Sequence, residues 1–103
     1  MYKIYWTEDF VATFSKIDNS EKLWIRAQEI QLQQSVTGKP LGIKWFREKK
    51  AGDKRLYFLF SEMNKVILFV AYGSKGEQKT MIREIREDME DYLRILNNLK
   101  GDE

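Results

Sequence analysis

The chain has 103 residues, 43% of them hydrophobic and 14% aromatic, with no cysteine, no histidine and a formal net charge of +2. Such a chain is one domain, residues 1–103, with a single core, and it excludes a disulfide framework, a thiolate metal site and histidine-based acid–base chemistry. A third of the residues are charged, no apolar run approaches the roughly 20 residues of a membrane span, and the start Met-Tyr-Lys-Ile-Tyr-Trp lacks the apolar stretch of a signal peptide. The expectation is a soluble cytoplasmic protein with no membrane contact, no metal and no cofactor, whose chemistry would rest on Lys, Arg, Asp, Glu or Tyr.

Tyr2 to Trp6 alternates, with Tyr2, Ile4 and Trp6 on one face, and predicts a first strand. Thr7 is placed to cap a helix carrying Phe10, Val11, Phe14 and Ile17 at helical spacing, with Glu8 and Asp9 at its positive end. Asp18-Asn19-Ser20 interrupts, and Ser20 is a cap for a second helix from Glu21 to about Ser35. The apolar stripe of that helix reads Leu23, Trp24, Ala27, Ile30 and Gln34. The two make a helical hairpin. Thr37 to Gly42, with the only proline at Pro40, is a loop, and Ile43 to Lys49 predicts a strand with Ile43, Trp45, Arg47 and Lys49 on one face.

The strongest signal follows. Leu56 to Phe60 and Val66 to Tyr72 are strand-length apolar runs separated by the polar turn Ser61 to Lys65, a β-hairpin. Leu56, Phe58 and Phe60 face one way and Arg55, Tyr57 and Leu59 the other. Val66 to Ala71 is apolar on both faces, which predicts the middle strand of the sheet. A helix then begins at either of two caps, the Ser74/Glu77 capping box or Thr80. Its seam Ile82, Ile85, Met89, Tyr92, Leu96 and Leu99 predicts one helix about 30 Å long. Such a seam either packs on the protein's own sheet or makes a homodimer through the C-terminal helix. The element order argues α+β: a small antiparallel sheet with a mixed edge, an N-terminal helical hairpin and a long C-terminal helix.

Charge is concentrated locally. Lys44 to Arg55 holds six basic side chains (Lys44, Arg47, Lys49, Lys50, Lys54, Arg55) against Glu48 and Asp53, a net +4, which leaves the rest of the chain at −2. Beside Trp45, Phe46 and Tyr57 the block fits a phosphate-rich partner, and it equally fits an edge strand kept soluble by its lysines.

The succession of helical hairpin, Ile43-Lys44-Trp45-Phe46-Arg47, Arg55-Leu56-Tyr57-Phe58, the apolar strand, Lys75, Gln78-Lys79-Thr80 and Glu84-Ile85 resembles the RelE/ParE toxin superfamily, and its later part is similar to the HigB branch. The sequence departs from the usual pattern at Ser74, at Trp45, at Met81 in place of proline, and in lacking the histidine of some HigB-like enzymes. The resemblance implies a toxin that cleaves messenger RNA in the ribosomal decoding site and is neutralised by a cognate antitoxin. The alternatives are an inert module that binds nucleic acid or protein, and a ParE-like gyrase inhibitor. By position it assigns catalysis to Arg55 on the scissile phosphate, Lys75 on the leaving side, and Arg47 or Lys49 as base. It places Lys44, Lys50, Lys54 and Lys79 on the nucleic acid, with Tyr72 or Tyr57 for stacking or acid duty.

Overall fold

The computed structural model describes residues 1–101, built as β1 (Lys3–Trp6), α1 (Glu8–Lys16), α2 (Asn19–Gln34), β2 (Lys39–Pro40), β3 (Phe46–Ala51), β4 (Lys54–Ser61), β5 (Val66–Ser74), a 3₁₀ turn (Lys75–Glu77), α3 (Gln78–Glu87) and α4 (Met89–Asn98). The five strands form one sheet in the order β1-β5-β4-β3-β2. Every pairing is antiparallel except β1 with β5, which is the mixed edge expected. β5, apolar on both faces, is an inner strand as its composition requires, but the middle position belongs to β4.

The sheet separates two cores, and strand alternation decides which residue enters which. Leu56, Phe58 and Phe60 of β4 join Ile67, Phe69 and Tyr72 of β5 beneath α1 and α2, with Phe10, Ile25 and Leu32. Tyr57 and Leu59 join Val66, Leu68 and Val70 beneath α3 and α4, with Phe46, Ile85 and Leu96. A bulge in the β4–β5 ladder at Tyr57/Phe58 keeps both patterns in phase along the sheet. α1 starts where expected, the Thr7 hydroxyl accepting from the Phe10 N–H at 3.1 Å.

Four expectations between Asp18 and Ala51 need correction. The cap of α2 is Asp18: its carboxylate accepts from the Glu21 N–H at 2.9 Å, and the Glu21 side chain returns to the Asp18 N–H. Ser20 instead lies inside the first turn and bonds Asp18. The stripe of α2 is also different. Ile25 and Leu32 are buried, whereas Leu23, Ala27 and Ile30 face solvent, because the helix rolls to bring Trp24 against Tyr72. β3 begins at Phe46 and runs to Ala51; Ile43 to Trp45 turn around Gly42, whose φ of +87° is open to glycine. Lys39–Pro40, inside the predicted loop, makes a short outer strand on Arg47 and Glu48.

The predicted single C-terminal helix is two. Asp88 sits at φ −96°, ψ 10°, outside helical geometry. Its N–H still reaches the Glu84 carbonyl and its carbonyl accepts from Tyr92, so the chain bends without losing its bonding. The bend returns α4 across β4 and β5, and it removes the overrun that one 30 Å helix would have made of a small sheet. The seam is spent on the sheet: Ile85 and Leu96 are buried, with Ile82, Met89, Tyr92 and Leu99 packed beside them. The residues proposed for a homodimer are therefore occupied within the monomer.

Candidate nucleic-acid interface

Two consequences of the fold shape the basic region. Arg47 and Lys49 face α2, together with Phe58 and Leu56, their β4 partners. Lys50 and its partner Arg55 face α3. The four side chains assigned to catalysis thus do not converge: Arg47 and Lys49 lie on one face of the sheet, Arg55 on the other, and Lys75 beyond the end of β5. Alternation along β3 makes this unavoidable.

On the α2 face the cations are held by neutral or acidic partners. Arg47 donates from Nε to the Lys44 carbonyl at 2.9 Å and from a terminal nitrogen to the Val36 carbonyl at 3.3 Å, its guanidinium 5.0 Å from the Phe60 ring centre. Lys49 donates from Nζ to the Gln31 side-chain oxygen and, at 2.9 Å, to the Thr37 hydroxyl. Burial lowers its pKa from the ordinary lysine value, because no carboxylate offsets the desolvation of the ammonium. Lys54 lies 3.6 Å from the Glu21 carboxylate.

Tyr72 requires a correction. It is 5% exposed, its ring tilted against Trp24 and its hydroxyl 3.3 Å from Glu21, so it belongs to the core and has no free face on which a base could stack. Burial and the Glu21 carboxylate both raise its pKa, so the phenol stays protonated, but its proton is directed at Glu21 and not at a ligand. Lys44 is also displaced from the group. It sits at the opposite end of β4, in an exposed 2.8 Å ion pair with Glu62.

On the α3 face a polar cluster lies under the start of α3. Arg55 is 5% exposed, and one terminal nitrogen donates to the carbonyls of Gly52 and Lys54 at 2.9 and 3.0 Å. The arginine thus fastens the β3–β4 turn and reaches neither Asp53 nor Glu62 as an ion-pair partner. Glu48, cross-strand from Tyr57, is 1% exposed and accepts from Gln78 Nε2 at 2.7 Å. The second Glu48 oxygen, Arg55 Nε and the Tyr57 hydroxyl have no hydrogen-bond partner.

Burial and the Glu48 charge push the Tyr57 pKa up to about 12. A raised folded-state pKa means that the folded protein holds the proton longer than the unfolded chain, so this contribution to stability is intact below pH 10 and is lost as pH rises towards 12. Ultraviolet titration of the phenols should therefore show a Tyr57 fraction ionising well above the ordinary tyrosine range. The Tyr57→Phe variant should lose that fraction and part of the alkaline destabilisation.

What remains open to a ligand is at the end of the sheet where β3 turns into β4 and β5 leads into α3. Lys50, Lys75 and Lys79 are exposed and make no ion pair among the described residues. The Lys75 N–H is bonded to the Asp53 carbonyl at 2.6 Å, which fixes the β5–α3 turn beside the β3–β4 turn. Glu77 is held back by its capping box, accepting from the Ser74 N–H and hydroxyl at 3.0 and 2.9 Å. On the outer side of β3, strand pairing covers only Arg47 and Glu48, so its last residues form a free edge with Lys49 and Lys50 on either side.

Sequence reasoning overlooked Glu48 and Gln78, which join β3 to α3, and Gln31 and Thr37, which hold Lys49. The face of Glu48 was legible from its spacing to Phe46. The partners were not, because each lies at least 12 positions from the residue it contacts.

No protein-family model and no curated protein matches the sequence. Among solved structures, the isolated E. coli RelE toxin superposes with a TM-score of 0.65 at 13% identity, covering 81% of this chain and 98% of that one. The intact E. coli RelBE toxin–antitoxin complex matches with a TM-score of 0.65 at 14% identity over 72% of this chain and 96% of that one. A RelE mutant bound to an antitoxin RelB peptide gives 0.64 at 14% identity, over 71% and 82%. The finer likeness to the HigB branch rests on the sequence motifs alone. At these identities the similarity is one of architecture: the chain has the fold of RelE.

Proposed function

We propose that the protein is the toxin of a toxin–antitoxin pair and an endoribonuclease that cuts messenger RNA on the ribosome, acting in the cytoplasm. The observation that carries this is the group of unpaired cations Lys50, Lys75 and Lys79 at one end of the sheet of a RelE fold, with the desolvated amine of Lys49 on the opposite face of β3. Cleavage by the ribose 2′-hydroxyl forms a bond from O2′ to phosphorus and breaks the bond from phosphorus to O5′. It needs a base for the 2′ proton, positive charge for the phosphorane and a proton for the departing 5′-oxygen.

Lys49 takes the first role, since desolvation favours its neutral form, with the RNA crossing the free edge of β3 to meet groups that stand on both faces of the sheet. The Lys75 ammonium takes the last. Arg55 contributes charge from beneath the turn, where a low dielectric strengthens its field, and does not need to touch the phosphate. The antitoxin is the partner that covers this basic end; RelE is bound by RelB in the complexes with which the fold aligns.

The test is mapping of message ends in a purified translation reaction containing the protein. Codon-phased cuts that depend on ribosomes are the expected result. Intact messages in the presence of folded protein overturn the nuclease. They would favour a second reading, an RNA-binding module without cleavage, which the inward turn of the Arg55 guanidinium supports.

A further inference from the structure

We infer that the outer face of α3 is a second nucleic-acid contact, a track that docks the phosphate backbone of RNA without regard to sequence. The inference rests on the RNA-directed reading above and extends it from the cleavage end of the sheet to a surface that holds the substrate assembly. α3 is polarised around its axis. At 100° per residue, Lys79, Arg83 and Arg86 fall within one narrow sector, and Lys75 in the preceding turn leads into it. Glu84 and Asp88 fall on the opposite flank, where they line a cleft with Asp9 and Tyr92. The buried side, through Ile85, lies between these flanks.

The basic flank borders a shallow depression lined by Lys79, Ile82, Arg83, Arg86 and Glu87. Successive cations along it are three or four residues apart, about 4.5–6 Å of helix, comparable to the step between neighbouring phosphates on a strand. Arg86 is seated. One terminal nitrogen donates to the Leu41 carbonyl at 3.0 Å, and a side chain at Gly42 would come within 2.8 Å of that nitrogen, so glycine leaves the space that it fills. Arg83 is 66% exposed, and its only acidic partner among the described residues is Glu87, at 3.7 Å in an open i,i+4 pair that solvent and salt weaken. Lys50 lies two positions beyond Glu48 on the same face of β3, and Glu48 is bonded to Gln78 at the start of α3, so the track continues into the basic end of the sheet. Guanidinium groups paired with nothing stronger than a carbonyl or an exposed carboxylate are free to exchange those partners for phosphate.

The experiment measures binding of the full chain to a fluorescent RNA hairpin across a range of salt. It compares wild type with Arg83→Gln/Arg86→Gln, and with Arg83→Glu alone in case loss of the Leu41 contact unsettles the fold. Each lost phosphate contact lowers the slope of log affinity against log salt by about 0.7–0.9, so the double variant should lose about 1.5 in slope and about tenfold in affinity at moderate salt. Arg83→Glu should also weaken binding and flatten the slope. Unchanged slopes in both folded variants overturn the track. So does weakening confined to an acidic protein partner with RNA binding intact, which would make the face a protein-docking surface. The outcome is separable from the nuclease reading: a protein that binds the hairpin through α3 yet leaves messages whole retains the track and loses the nuclease.

Discussion

Phe69→Ala is expected to destabilise the protein by about 3–5 kcal/mol, the usual cost of emptying a buried phenylalanine site. Phe69 is fully buried on an inner strand, with Trp6 of β1 and Phe58 of β4 as its cross-strand neighbours. Its ring centre is 5.4 Å from that of Phe10, 6.2 Å from Phe58 and 6.5 Å from Trp6, so it joins three strands and α1. The lining cannot collapse into the vacated space, since Phe10 and Phe58 are held by a helix and by a β-ladder. A domain of this size has about 5–15 kcal/mol in total, so the variant should sit near the edge of folding. Denaturant melts will check this: a loss below about 1.5 kcal/mol would mean that the aromatic cluster is looser than described. Phe69→Leu, which retains most of the volume, should cost far less.

Lys49→Met is expected to lower the rate of message cleavage by about 10²–10⁴, the usual contribution of a positioned general base. The variant keeps the unbranched apolar stem and removes the amine, so RNA binding should change less than turnover. Lys49→Arg is the discriminating companion. Arginine preserves the charge but cannot act as a base near neutral pH, so it should not restore the rate. Recovery with arginine would reassign position 49 to holding phosphate.

The sign of the pH dependence follows from the same group. Burial lowers its pKa, the active form is the neutral amine, and the rate should rise with pH and level off below the ordinary lysine range, near 10.5. A rate that falls over that interval would remove Lys49 from the base role.

Much of this molecule is local, and what is local was legible in the amino-acid order. Period-two alternation assigns the side chains of Leu56 to Phe60 and Val66 to Val70 to the two cores, because a strand offers only two faces, whereas the bulge that carries Tyr72 to the face of Phe69 is invisible to it. The caps at Thr7 and Ser74/Glu77 depend on neighbours within three residues, and both are present. The seam from Ile82 to Leu99 correctly named the residues of α3 and α4 that pack on the sheet. The basic block between Lys44 and Arg55 is real as composition.

Tertiary structure decided the rest, for reasons of geometry at a distance. α2 carries apolar residues on more than one face, and only docking on the sheet selects Ile25 and Leu32 over Leu23 and Ile30. The bend at Asp88 answers the extent of a sheet that no helical segment encodes. The working state of each cation also depends on remote groups: Lys49 is desolvated beside Gln31 and Thr37, Arg55 is turned into its own hairpin, and Lys54 is held by Glu21, while Lys50, Lys75 and Lys79 are left open. The sequence by itself therefore determined which strands, caps and charges exist, since these follow from interactions within a few residues. The fold alone decided which charges are free and on which face of the sheet they stand, since burial and pairing are set by contacts between segments far apart in the chain.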